Sequence, residues 1–190
     1  MENTRHQGAI VLVAGPSGAG KDTVLSYAST RLASDARFVF ARRLITRVAA
    51  SDAEDYEACS QDTFDAVSAA GGLALCWRAH GSSYGIRRSI VNEIGHGRIV
   101  IANVSRRIIA DGLRLAPRSL IVHVMASPEV LARRLHGRGR ETASDIAARL
   151  YREAPQLDYG ERLLTINNDG PIEQAGSSLL KALLALAEVS

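Results

Sequence analysis

Gly15-Pro16-Ser17-Gly18-Ala19-Gly20-Lys21-Asp22-Thr23 is the stretch from which the rest of the 190-residue chain can be read. It follows the apolar run Ala9-Ile10-Val11-Leu12-Val13-Ala14, which reads as a buried parallel strand, and it leads into a helix-compatible segment from Lys21. The pattern G-x-x-x-x-G-K between strand and helix is that of a phosphate loop. Backbone N–H groups line a concave anion site there, and the lysine reaches the β/γ-phosphates of a nucleotide. Glycine serves because side chains would block the approach of the backbone and some loop positions need positive φ. Asp22 departs from the pattern, since a Ser or Thr hydroxyl normally meets Mg2+ at that position.

A chain of this length reads as one domain with room for an inserted module and a substantial core, and 46% hydrophobic residues fits a soluble globular protein. Residues 1–8 are polar and only six apolar residues precede Gly15, which argues against a secretory signal or a membrane span. Cys59 and Cys76 form no C-x-x-C pair, so neither a disulfide framework nor a zinc site is indicated, and the cytoplasm is the expected location. The net charge is +3, and apart from Lys21 and Lys181 every basic residue is arginine. Arginine suits planar, bidentate contacts with phosphate and carboxylate. The charge is too small and too scattered to argue for nucleic acid.

Beyond the loop, residues 21–32 read as a helix packed on a sheet, with its N-terminus toward the bound phosphates, and Arg37-Phe38-Val39-Phe40-Ala41 reads as a second strand. Arg42, Arg43 and Arg47 follow that strand's carboxyl end, where open α/β sheets bind ligands. Residues 48–60 read as loop or short strand, 61–70 as a helix ended by Gly71-Gly72, and 73–77 as an apolar strand. A turn over 78–83 then leads to Tyr84-Gly85-Ile86. The interval 42–88 thus reads as a small acceptor-binding insertion between core segments 9–41 and 89–190. A helix over 89–94, a strand over 98–103 and a helix over 105–115 come next. The apolar strand at 120–125 carries His123, expected to be a hydrogen-bonded core residue and not a ligand. Ser127-Pro128 opens a helix to residue 136, and the arginine- and glycine-rich segment at 137–142 reads as a lid. A helix over 142–154, a strand over 163–166, a turn over 167–171 and an amphipathic helix over 172–189 complete the chain. Strands alternating with helices around a phosphate loop predict a three-layer α/β/α fold with a central parallel sheet, built for phosphoryl transfer.

At this level of detail the chain resembles the guanylate kinase superfamily along most of its length. The likeness lies in the phosphate loop, Thr46-Arg47, Asp55-Tyr56, Tyr84-Gly85, Arg134-Leu135 with Arg138-Gly139, Arg149-Leu150, and Asn167-Asn168-Asp169. Leu75 stands where those enzymes carry a glutamate that reads the guanine edge, and a leucine cannot accept the N–H groups of a base. Asn103-Val104-Ser105 replaces an Asp-Ile-Asp segment. Together with Lys21-Asp22, Leu44-Ile45-Thr46-Arg47, Arg106 and Arg138-Gly139-Arg140-Glu141, these departures resemble the ribose 1,5-bisphosphate phosphokinases of phosphonate metabolism, across roughly residues 9–175.

That resemblance implies transfer of the γ-phosphate of ATP to the 1-phosphate of ribose 1,5-bisphosphate, giving 5-phosphoribosyl 1-diphosphate and ADP. It implies ATP as donor, Mg2+ as cofactor and a small-molecule acceptor; a homodimer is left open. Residues 15–23 would then hold the donor, Lys21 its β/γ-phosphates, and Asn167 and Asp169 the adenine. Arg134, Arg138 and Arg140 would close over the transferred group, while Arg43, Arg47, Tyr84, Arg87 and Arg106 would hold the acceptor. Asp22 and Thr23 are the candidate metal ligands, or Asp22 only caps the first helical turn. A nucleoside monophosphate kinase remains an alternative, as does a non-catalytic guanylate kinase-like binding module.

Overall fold

All six residues of the first strand are without exposed surface, which requires a neighbour on each edge and helices over both faces. A computed structural model of the chain, describing residues 7–47, 55–136 and 157–188, supplies these neighbours. Its first half contains β1 (Ala9–Ala14), α1 (Lys21–Arg31), β2 (Phe38–Ala41), β3 (Arg43–Ile45), β4 (Tyr56–Ala58), α2 (Gln61–Ala69), β5 (Leu73–Ala79) and β6 (Ser82–Arg87). Its second half contains α3 (Ser89–Gly95), β7 (Ile99–Asn103), a 3-10 turn (Arg106–Ile108), α4 (Ile109–Leu113), β8 (Arg118–Met125), α5 (Pro128–His136), β9 (Leu163–Asn167) and α6 (Ile172–Glu188).

Five strands form the expected central sheet, in the order β2-β7-β1-β8-β9 with every pairing parallel. Alternation along β1 sends Ala9, Val11 and Val13 toward α1, α5 and α6, and Ile10, Leu12 and Ala14 toward α3 and α4. All carboxyl ends of the strands therefore open on one edge, which is where β1 runs into the phosphate loop.

A second, four-stranded sheet has the order β4-β3-β6-β5. Its β3–β4 pairing is parallel, while β3–β6 and β5–β6 are antiparallel. Leu75 and Ile86 fasten it to the α3/α4 side of the main core. The turn expected over 78–83 is much tighter: β5 continues to Ala79, and His80 and Gly81, with φ of 49° and 74°, form a two-residue hairpin turn in left-handed geometry. The helix expected over 105–115 is broken into a 3-10 turn and the five-residue α4. The Ser105 hydroxyl accepts from the Arg107 N–H at 3.4 Å, a local bond that competes with α-helical pairing. The expected lid at 137–142 and the helix over 142–154 lie outside the described residues. Among the described residues, no helix is long and apolar enough to cross a membrane.

Candidate active site

Two glycines show why the loop tolerates little else. A Cβ on Gly15 would lie 2.1 Å from the Val124 carbonyl oxygen, so only a bare backbone passes β8 there. Gly20 precedes α1 in the left-handed region, at φ 82°, and a Cβ on it would lie 2.4 Å from Nδ2 of Asn168. Asn168 is buried and donates from Nδ2 to the Ala19 carbonyl at 2.8 Å, and its own N–H bonds to the Met125 carbonyl at 2.8 Å. It holds the floor of the loop. Its only mark in the sequence is its position between the two residues expected to meet adenine.

Those neighbours have structural tasks as well. Asp169 Oδ1 accepts from the Ser127 N–H at 2.6 Å, and this bond is the main reason its carboxyl titrates below the usual carboxylate range. Asn167 Oδ1 accepts from the Asp169 N–H at 3.0 Å. Arg134, expected over the transferred phosphate, lies against the loop from behind. It donates to the carbonyls of Gly18 and Ala19 at 3.4 Å each and to that of Asn168 at 2.9 Å. In this conformation it braces the loop, because α5 delivers its side chain to the carbonyl side. Lys21 is folded over its own loop, with Nζ 2.9 Å from the carbonyl oxygens of both Gly15 and Pro16. Arg138 and Arg140 lie outside the described residues.

Asp22 does not cap the helix: no side-chain cap bond is made, and the N-cap is Gly20. Its carboxylate reaches across to the other elements, where Oδ1 accepts from Asn103 Nδ2 at 2.6 Å and from Arg43 Nη2 at 3.3 Å. The Arg43 side chain is 13% exposed and that of Asp22 33%. The phosphate loop, the end of β7 and the start of the second sheet thus meet at one carboxylate. Oδ1 of Asn103 is buried without a partner beside this junction. A carboxylate and an unused amide oxygen form a hard, oxygen-only donor set, which fits Mg2+.

The second sheet carries the other expected acceptor residues. The Arg43 guanidinium lies 5.8 Å from the centre of the Tyr84 ring, and Tyr84 stacks on Trp77 at 5.4 Å, the two being cross-strand partners. Arg47 lies over Tyr56 at 4.8 Å. Arg87 is a different case: its guanidinium makes a bidentate ion pair with Glu57, which draws the carboxyl of Glu57 below its ordinary range. Arg87 and Arg43 are thus each engaged by an acid of the fold, Glu57 in one case and Asp22 in the other. Leu75, expected at the position of a base-reading glutamate, is 5% exposed and packs in the core.

On the main sheet, Arg106 follows β7, and His123 lies on β8 beside Ala14. His123 is in the core as expected, at 5% exposure, but it is not hydrogen-bonded: Nε2 has no partner. Burial is the main cause that holds its protonation below the ordinary histidine range, followed by the charges of Arg106 and Lys21.

Residues 11–154 match a family described as AAA domain. A protein of Brucella melitensis named ribose 1,5-bisphosphate phosphokinase is 41% identical over 98% of this chain and 97% of its own length. The chain belongs to the ribose 1,5-bisphosphate phosphokinase family. A second member, from Acidiphilium cryptum, is 48% identical over 93% of both chains. Among solved structures, guanylate kinase from Anaplasma phagocytophilum superposes with a TM-score of 0.65 at 16% identity, covering 97% of this chain and 88% of that one. That likeness concerns the fold alone.

Proposed function

We propose that the chain transfers the terminal phosphoryl group of ATP to the 1-phosphate of ribose 1,5-bisphosphate, releasing ADP and 5-phosphoribosyl 1-diphosphate. The observation that carries this reading is Leu75, buried in the acceptor-side sheet whose exit strand and hairpin keep Arg43, Arg47 and Tyr84. Phosphate-binding cations remain while the polar reader of a base has gone, and a purine edge facing that leucine would lose hydrogen bonds.

The acceptor is itself a phosphate, whose second pKa near about 6 leaves it ionised at neutral pH, so no general base is needed. One of its oxygens attacks the γ-phosphorus. The bond from that phosphorus to the β–γ bridging oxygen breaks, and the electron pair leaves with ADP. Catalysis then consists of holding two polyanions in line and screening their repulsion. Lys21 and the N-terminal turn of α1 hold the donor phosphates; Arg43, Arg47 and Arg106 hold the acceptor, with Tyr84 as a hydroxyl donor. Arg138 and Arg140 close over the transferred group, while Arg134 keeps the loop in shape. When bound, Mg2+ screens the β- and γ-phosphate charge, and Asp22 with Thr23 and the Asn103 amide oxygen are the residues to hold it, directly or through water. Both substrates are phosphorylated metabolites, and we place the enzyme in the cytoplasm.

A coupled ADP-release assay across ribose 1,5-bisphosphate, GMP and AMP tests the reading. The bisphosphate is expected to exceed either nucleotide in kcat/KM by at least about 100-fold, as a lost set of base hydrogen bonds allows. Faster turnover of GMP or AMP would overturn it.

A further inference from the structure

Four polar side chains are buried among the described residues: Ser83, Asn103, His123 and Asn168. Three of them have a bond: Ser83 Oγ to Gln61, Asn103 Nδ2 to Asp22 and Asn168 Nδ2 to the Ala19 carbonyl. His123 has none. A buried imidazole nitrogen without a partner costs stability, and an apolar residue of similar size would serve the core better. Such a group is explained when its partner arrives with a ligand.

The placement of the ring points to which ligand. Val122 and Val124 face α1 and α6, so His123 shares the opposite face of β8 with Ile121. In register it stands between Ala14, the last residue before the phosphate loop, and Thr165 on β9. Two cations stand in elements beside it: Lys21 at the end of the loop that leaves β1, its register neighbour, and Arg106 on the turn after β7, the strand on the other side of β1. They belong to opposite sides of the site, and an anion placed between them is attracted by both. We infer that His123 is a substrate-binding residue whose Nε2–H donates a hydrogen bond to a phosphate oxygen drawn between Lys21 and Arg106. The inference rests on the phosphoryl-transfer reading above and adds a neutral donor to its cations. A neutral ring suits this task, since it donates one bond without adding a third positive charge.

The test pairs nitrogen NMR of histidine-labelled enzyme with two substitutions. Inorganic pyrophosphate, Mg·ADP and ribose 1,5-bisphosphate are added separately, and at least one is expected to shift the His123 Nε2 resonance while leaving it protonated. His123→Met is expected to melt at or above the wild-type temperature, yet to lose about 10- to 100-fold in kcat/KM for the bisphosphate, the range for a hydrogen bond to a charged group. His123→Gln, whose amide nitrogen can occupy the Nε2 position, is expected to recover most of that loss. A purely structural role predicts the reverse order of stability and no rescue. The inference falls if His123→Met is as active as wild type, or if no probe moves the resonance, as when an ordered water alone fills the site. Should His123→Met not fold, the NMR titration and His123→Gln decide alone. Absence of wild-type turnover with the bisphosphate would sink the proposed function, whereas a resonance shifted by pyrophosphate would still uphold the contact.

Discussion

Replacing Gly20 with alanine tests whether the loop is held by Asn168 as the geometry indicates. The new methyl would sit 2.4 Å from Asn168 Nδ2 and 3.5 Å from Arg134 Nη1, on a backbone at φ 82°. Holding a non-glycine residue in that region costs about 1–3 kcal/mol. The Asn168 amide must also move, breaking its 2.8 Å bond to the Ala19 carbonyl in a buried setting. Stranding those groups costs about 1–3 kcal/mol more. The sum, roughly 2–6 kcal/mol, is a large part of a typical folding stability of about 5–15 kcal/mol. At about 2–4 °C per kcal/mol for a domain of this size, the melting temperature should fall by about 5–20 °C. Far-UV circular dichroism on heating measures it, and calorimetric titration with Mg·ATP should show weakened binding in the same variant. Asn168→Ala supplies the internal control. With that side chain gone the methyl meets nothing at 2.4 Å, so the double variant should lose less than the sum of the single ones. A Gly20→Ala protein melting within about 2 °C of wild type, or single effects that add in full, would refute the reasoning.

Two further outcomes follow from other contacts. Asp22→Asn removes the charge that Asn103 and Arg43 both engage, and it should raise the Mg2+ concentration for half-maximal activity several-fold; an unchanged Mg2+ dependence in steady-state assays would remove Asp22 from the metal site. His123 titrates below its unfolded value of about 6.5, so the unfolded chain gains a proton first as pH falls through that value, and stability declines until the lower folded value is passed. The urea midpoint should therefore drop more between about pH 7.5 and about pH 5.5 for wild type than for His123→Met, and equal drops would contradict the assignment.

What could be read from the sequence was local. The unbroken apolar run of β1, the glycines after it and the Ser127-Pro128 start of α5 each state their conformation within a few residues, and the Val130 N–H indeed bonds to Ser127 Oγ at 3.4 Å. What could not be read depends on partners far along the chain. Asp22 meets Asn103 across 81 residues, and Asn168 meets Ala19 across 149. The engagement of Arg87 by Glu57 is of the same kind, an acid brought to a basic residue across 30 positions. The empty valence of His123 was hidden for the converse reason, since a histidine in an apolar strand gives no sign of whether its nitrogen finds an acceptor.

The two sheets are joined through very short crossings. Arg42 alone separates β2 from β3, and Arg88 alone separates β6 from α3. Sliding one sheet along the other would require unpairing β3 or unwinding the first turn of α3, whereas a swing changes torsions at two arginines and works against the buried contact of Leu75 and Ile86 with the core. Any closing movement of the acceptor side would therefore turn about the line through them, and the Asp22–Arg43 contact sits next to that line, where it ties the pivot to the donor loop.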